Sequence, residues 1–356
     1  MRSYHHDLTP AFLYDPNGTS KNFAHQVFSL IRAVDHSFDL IPLELHRMED
    51  GETEVRIDHS ITGKNCFYVA GLSDNPERWL VDLLLVNETL NNCGAEKITD
   101  VSPYLRFSRA DRKWRSGVSI ASSMVAKCLM MYGDEVITFD IHNEASQVAY
   151  DEKGKRFTLL YSSPVLIPYL VRNHREFLDD VVVMSPDDGG LKRARAYAFR
   201  IGAQTDQAIE TAASAKQRNS RGELIGLNLL GMVRDRNVLI IDDIYSSGKT
   251  ISEAAKQAKD NGARLVYAHT PHFIGTSGDK YITKDIDLLI VGDSLIDEIK
   301  DTLATNPKKE MISYAELVAE AILRRSLKRG VSDLLENHRE EWLIHTPRPD
   351  FDIIEV

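Results

Sequence analysis

The stretch VLIIDDIYSSGKT, residues 238–250, puts two acids, Asp242 and Asp243, directly after an apolar run and ahead of a loop of hydroxyl residues and glycine. The apolar run predicts a central strand. ISEAAKQAKDNGA (251–263) predicts the helix that follows, with Ile251, Ala254, Ala255 and Ala258 on one face. Backbone N–H groups at such a loop and helix start point outward and hold a phosphate well. The closing Gly-Lys-Thr matches the end of a nucleotide-hydrolase phosphate loop, but that loop needs a glycine five positions before its Gly-Lys. Asp243 stands there, which excludes it. Paired carboxylates ahead of a phosphate loop suit a sugar phosphate, whose vicinal hydroxyls donate to the acids while the loop takes the phosphate. The plainer reading is a strand end with capping acids.

Three further clusters carry chemistry. RFSRADRKWRS (106–116) gathers Arg106, Arg109, Arg112, Lys113 and Arg115 around a single acid, Asp111. It reads either as a polyphosphate site, whose charge needs several donors, or as a solvated basic face. His142 closes EVITFDIH (135–142), where a lone histidine is either structural or a metal ligand. AASAKQRNSRGEL (212–224) sets Lys216 and Arg218 in a polar segment that reads as a flexible loop.

The elements around these clusters alternate between strand and helix. AFLYDP (11–16), CFYVAGL (66–72), KITDVSPYL (97–105) and EVITFDIH predict strands, with helices at KNFAHQVFSLI, RWLVDLLLVNETLNNCGA (stopped at Gly94) and SMVAKCLMMYG. The plan then restarts. SPVLIPYLVRNH (163–174) and LKRARAYAFRIGA predict helices, and DVVVMSPDDGG, RLVYAHTPHFI and DLLIVGDS predict strands. This is the order of parallel sheets with covering helices. The expected division is a first domain at 1–160, a second at 161–310, a C-terminal helix within 311–335 packing back on the core, and an appended tail at 336–356. YDEKGKRF (150–157) predicts a hairpin turn near the first boundary.

Composition limits the partners. The net charge of −10 disfavours general nucleic-acid binding, so an anionic ligand must be held by local positive groups. No run of 18 uncharged apolar residues predicts a membrane span, and the N-terminus has no apolar signal region. Cys66, Cys93 and Cys128 form no CxxC pair, which fits a reducing cytoplasm and neither a disulfide scaffold nor a structural zinc site.

VLIIDDIYSSGKT resembles the phosphoribosyl-pyrophosphate loop of type I phosphoribosyltransferases. RFSRADRKWRSGVSI (106–120), DIHN (140–143), SPDDGGLKRARAYA (185–198) and MEDGETEVRI (48–57), in that family's order, narrow the resemblance to the ribose-phosphate pyrophosphokinases over roughly residues 10–335. The resemblance implies an α/β fold of two tandem phosphoribosyltransferase-like domains, each a mostly parallel sheet flanked by helices. It implies transfer of the β,γ-diphosphoryl group of ATP to the C1 hydroxyl of ribose 5-phosphate, with Mg²⁺ as cofactor, in a homo-oligomer (dimer or hexamer). By the same matching, Met48, Asp50, Glu52, Arg109 and Asp111 bind ATP, and His142 and Asp187 bind the metal. Lys216 and Arg218 are catalytic, Asp242 and Asp243 hold the ribose, and Ser246, Ser247, Gly248, Lys249 and Thr250 hold its phosphate. The family usually carries an acid where Ser246 stands, a small residue where Lys249 stands, Gln where Ala110 stands and an aromatic where Met48 stands. The first two departures leave a larger acceptor such as ADP-ribose as an alternative, and a non-catalytic regulatory homologue is a second.

Overall fold

In a computed structural model that describes residues 8–71, 75–150, 154–218, 224–276, 280, 282, 284–295, 306–332 and 334, the chain forms two compact units. The tail expected at 336–356 lies outside the described residues.

The first unit runs to Tyr161 and takes in the late helix α7 (Ala315–Ser326). Its sheet has six parallel strands in the order β2 (Asp39–Pro42), β1 (Pro10–Tyr14), β5 (Asn65–Val69), β6 (Lys97–Val101), β7 (Glu135–Phe139), β8 (Arg156–Leu160). Every residue of β5 and β7 is buried, as expected of parallel strands covered on both faces. The helices α1 (Lys21–Val34), α2 (Pro76–Asn92) and α3 (Ala121–Tyr132) supply the crossovers. Asn75 caps α2 by accepting the Arg78 N–H at 2.9 Å, Pro76 begins the helix, and Gly94 leaves it at φ +80°. A separate antiparallel hairpin, β3 (Glu44–Arg47) with β4 (Thr53–Arg56), stands beside the sheet. The helix α7 is buried from Ala315 to Arg324 and packs against α1, which is why its apolar residues run around most of its circumference.

The second unit spans Ser162–Tyr314. Its sheet orders β11 (Leu224–Leu230), β10 (Glu210–Arg218), β9 (Val181–Ser185), β12 (Asn237–Ile241), β14 (Val266–Thr270), β16 (Leu288–Gly292) and β17 (Lys309–Ile312). All neighbours are parallel except β10 and β11. The helix α4 (Ser163–Asn173) precedes β9, α5 (Leu191–Thr205) joins β9 to β10 and α6 (Lys249–Asp260) lies between β12 and β14, while a two-residue parallel pair, β13 (Ile244–Tyr245) with β15 (His272–Phe273), sits apart. From β9 the chain moves one way to β10, then returns to β12 on the other side. The strand order therefore reverses between β9 and β12, and the crevice at their carboxyl ends is where such sheets bind ligands.

Three expectations are corrected. The hairpin turn expected at 150–157, of which 151–153 lie outside the described residues, does not join the flanking strands. The strands β7 and β8 are parallel and joined through the 3₁₀ helix Glu144–Tyr150, because parallel neighbours need a crossover. The segment 212–224 is not a loop throughout: Glu210–Arg218 and Leu224–Leu230 pair as antiparallel strands, with Lys216 opposite Leu227 and Arg218 opposite Leu224. A backbone ladder can form whatever the side chains are, so a polar segment can still be strand. RLVYAHTPHFI is two strands, divided at Pro271, which has no N–H to give a ladder.

Candidate active site

In the second unit the switch point gathers the acids. Burial of β12 brings Asp242 and Asp243 to its end, and the loop after β9 brings Asp187. The Asp187 Oδ1 accepts the Gly190 N–H at 3.0 Å, which folds the Asp-Asp-Gly-Gly turn into the start of α5. That turn presents Arg193, whose Nη1 donates to Asp243 Oδ1 at 3.1 Å and lies 3.8 Å from Asp242 Oδ1. The Asp243 N–H also donates to Asp242 Oδ1 at 3.0 Å. Burial pushes the Asp242 carboxyl well above the usual carboxylate range. The adjacent Asp243 charge adds to this and the Arg193 guanidinium opposes it. Such a pair offers acceptors and one shared positive partner, which suits a ligand rich in hydroxyls. Arg193 was not among the residues singled out from sequence. Its one signal is an arginine in the first turn of the helix opened by Gly189-Gly190.

Beyond the acids, Gly248 takes φ +85° and begins α6, whose first turn has no side-chain cap. The N–H groups there are directed out of the helix end, where the dipole favours an anion. The Lys249 N–H faces Ser247 Oγ at 3.4 Å, while its ammonium points along α6 and lies 3.7 Å from Glu253. The loop's positive character therefore comes from backbone N–H groups more than from the Lys249 side chain. Thr250 follows within the first turn. Lys216 and Arg218 are placed by backbone register at the far end of β10, two strands from β12.

In the first unit, Asp140 bends the chain after β7 at φ +31° and sends His142 to the surface. The next residue, Asn143, donates to Asp111 Oδ2 at 2.7 Å, which joins the basic segment to the end of β7. Arg109, Arg112, Lys113 and Arg115 are exposed, and the Arg115 guanidinium lies 4.6 Å over the exposed Trp114 ring. The hairpin turn between β3 and β4 presents Met48, Asp50 and Glu52. The Met48 N–H bonds Glu52 O at 2.9 Å, and Gly51 at φ +91° permits the turn. Arg47 anchors it, donating to Asp82 of α2 at 2.6 Å. Among the described residues, Met48, Asp50 and Glu52 share no hydrogen bond with the basic segment or His142.

No group of three or more His, Cys, Asp or Glu side chains forms a metal cage among the described residues. Mg²⁺ is usually held by one or two protein groups together with phosphate oxygens and water. In the second unit the Asp187 carboxylate has one oxygen outside its turn bond, and in the first unit the His142 imidazole is exposed; each is by itself a donor type Mg²⁺ or its water shell accepts.

The model for the N-terminal domain of ribose phosphate pyrophosphokinase matches residues 17–133, and the phosphoribosyl transferase domain model matches residues 169–293. The chain is 31% identical over 294 residues to a Haemophilus ducreyi protein named ribose-phosphate pyrophosphokinase, covering 82% of this chain and 89% of that one. It is 35% identical over 295 residues to ribose-phosphate pyrophosphokinase 1 of Streptococcus pyogenes, with 82% and 89% covered. In fold it is similar to phosphoribosylpyrophosphate synthetase from Mycobacterium smegmatis, at a TM-score of 0.78 and 22% identity over 90% of this chain and 99% of the other.

Proposed function

The chain belongs to the ribose-phosphate pyrophosphokinase family, and from that premise we propose how its residues divide the work of making phosphoribosyl pyrophosphate from ribose 5-phosphate and ATP. The reading rests on one observation: at the switch point of the second unit, paired acids bridged by Arg193 stand one short loop ahead of a helix start whose N-cap, Gly248, supplies no side-chain cap. Asp242 and Asp243 accept the vicinal ribose hydroxyls. Ser246, Ser247, Gly248, Lys249 and Thr250 hold the 5′-phosphate, mainly through N–H groups and hydroxyls.

The C1 hydroxyl oxygen attacks the β-phosphorus of ATP in line. The bond from β-phosphorus to the oxygen bridging it to the α-phosphorus breaks, and AMP leaves with that oxygen. The hydroxyl proton passes to solvent. Protein groups need supply little covalent chemistry, so positioning and charge neutralisation dominate. Arg109 with the surrounding basic segment holds the polyphosphate, and Asp111, tied by Asn143, fixes where that segment leaves the sheet. Met48, Asp50 and Glu52 receive the nucleoside end from the hairpin turn. Lys216 and Arg218 on β10 stabilise the charge that redistributes during transfer. His142 and Asp187 are the residues that would hold Mg²⁺, which when bound neutralises and orients the ATP phosphates.

Mass-spectrometric identification of products from ATP, Mg²⁺ and ribose 5-phosphate, with ADP-ribose as a parallel acceptor, tests this reading. The expected result is AMP and phosphoribosyl pyrophosphate in equal amounts, with ribose 5-phosphate the preferred acceptor. Release of ADP, or a product only from ADP-ribose, overturns it.

A further inference from the structure

Tyr245 separates the paired acids from the phosphate loop, and its ring is turned into the protein and fully buried. Gly248 rests against the hydroxyl end of that ring. A β-carbon at 248 would lie 2.1 Å from Tyr245 Cζ and from its hydroxyl oxygen, so the ring itself requires glycine there, in addition to the φ of +85°. Phe273 stacks on the Tyr245 ring with centroids 4.8 Å apart and planes 18° from parallel, and is itself buried. The buried Lys309 places its ammonium 5.6 Å from the Phe273 ring. The segment carrying Phe273 also grips the loop by its backbone. Ile274 and Gly275 donate to Tyr245 O at 2.9 and 3.2 Å, and Thr276 donates to Ser246 O at 3.0 Å.

A site built from N–H groups works only if their directions are fixed, since a hydrogen bond weakens steeply with misalignment. Here the direction of the Gly248 peptide is set by what lies under it. We propose that Tyr245 and Phe273 are positioning residues for the acceptor's 5′-phosphate: their stack fixes Gly248, and so aims the N–H groups at the start of α6, without touching the phosphate. This rests on the reading of 246–250 as the acceptor-phosphate loop.

Initial-rate kinetics on the full-length protein test it, with both substrates varied and thermal melts run on the same samples. In Tyr245→Leu and Phe273→Leu, the KM for ribose 5-phosphate is expected to rise about five- to tenfold, the scale of a lost aromatic pair. The KM for ATP should move less than about twofold. Tyr245→Phe, which keeps the ring, should restore the wild-type KM. If a leucine variant melts below the assay temperature, Tyr245→Met, of similar reach but no ring plane, is read the same way. An unchanged KM for ribose 5-phosphate in the ring variants, while Thr250→Ala raises it, overturns the proposal and leaves the loop reading intact. Equal rises for both substrates also overturn it. No change in Thr250→Ala either removes the loop reading and the proposal together.

Discussion

Arg193 donates to Asp243 across 3.1 Å, and so joins the helix after β9 to the end of β12. The two residues are 50 apart in the chain, and their strands are neighbours at the point where the sheet order reverses. The contact holds two carboxylates side by side under one guanidinium, with the nearer oxygen of Asp242 3.8 Å away. Asp243 is buried, so the guanidinium offsets part of the cost of holding a charge there.

Replacing Arg193 by Ala should therefore weaken acceptor binding. The loss of one charged hydrogen bond, about 1.5–3 kcal/mol, corresponds to roughly a 10- to 100-fold fall in kcat/KM for ribose 5-phosphate. Arg193→Lys keeps the charge without the planar fork and should fall between the two. Steady-state kinetics with ribose 5-phosphate varied at saturating ATP make the check. Wild-type kcat/KM in Arg193→Ala would remove the role given to the bridge.

Lys216→Ala and Arg218→Ala should behave differently. These residues are assigned to the transferring group, so kcat should fall by about 10²-fold each while the KM for ribose 5-phosphate changes little. Their backbone lies on paired strands, with the register shifting between Gln217 and Arg218. The pattern to look for is the split between kcat and KM. Unchanged turnover in both variants would sink the assignment.

The sequence made some of this site legible and hid the rest for physical reasons. Val238–Ile241 is continuously apolar because β12 is buried on both faces, so the strand and the acids at its end stood out. The start of α6 was visible for the same reason, since its buried face repeats at helical spacing. Arg193 was hidden because its partner is distant in sequence, and an arginine in a helix first turn has no pattern of its own. The pairing of β10 with β11 was hidden because a ladder uses backbone groups only. The short strands β2, β3, β4 and β17 lack the length for a clear period. Nothing in the sequence sets Tyr245 apart from the other hydroxyl residues of its loop, and only the structure shows what its ring supports.

Asp100 gives a pH prediction. It lies fully buried at β6, accepting from Asn87 Nδ2 at 2.8 Å, and burial pushes its carboxyl up to about 7. A raised folded pKa means that the folded protein holds the proton more tightly than the unfolded chain. The contribution is fully present below the unfolded value and is lost as pH rises through about 7. Asp100→Asn cannot ionise, so its melting temperature should fall less than that of the wild type between mildly acidic and mildly alkaline pH. Parallel melting curves across that range would show no difference between the two if Asp100 stays ionised in the fold.

Glu135 should show the opposite slope. Its carboxylate is fully buried at the start of β7, accepts from Lys97 at 2.8 Å and from the Thr158 hydroxyl at 2.7 Å, and forms an ion pair with Arg325 Nε of α7 at 2.6 Å. Burial pushes this carboxyl up, but Lys97, Arg325 and the hydrogen bonds outweigh it and hold the group below its ordinary value. A depressed folded pKa contributes stability above the unfolded value, and the contribution is lost as pH falls through the folded one. Because Arg325 arrives from the C-terminal helix, the same carboxylate fastens that helix to the first sheet. Glu135→Ala would leave two cations facing each other with little solvent, at a cost of about 3 kcal/mol. Glu135→Gln keeps the size and removes the charge, so it isolates the electrostatic part. Urea denaturation should place both variants well below the wild type near neutral pH, with the gap to Glu135→Gln closing in acid as pH falls through the depressed folded value and the wild-type carboxyl takes up its proton. A gap that stays constant with pH would mean that packing, and not the ion pairs, holds the helix at this point.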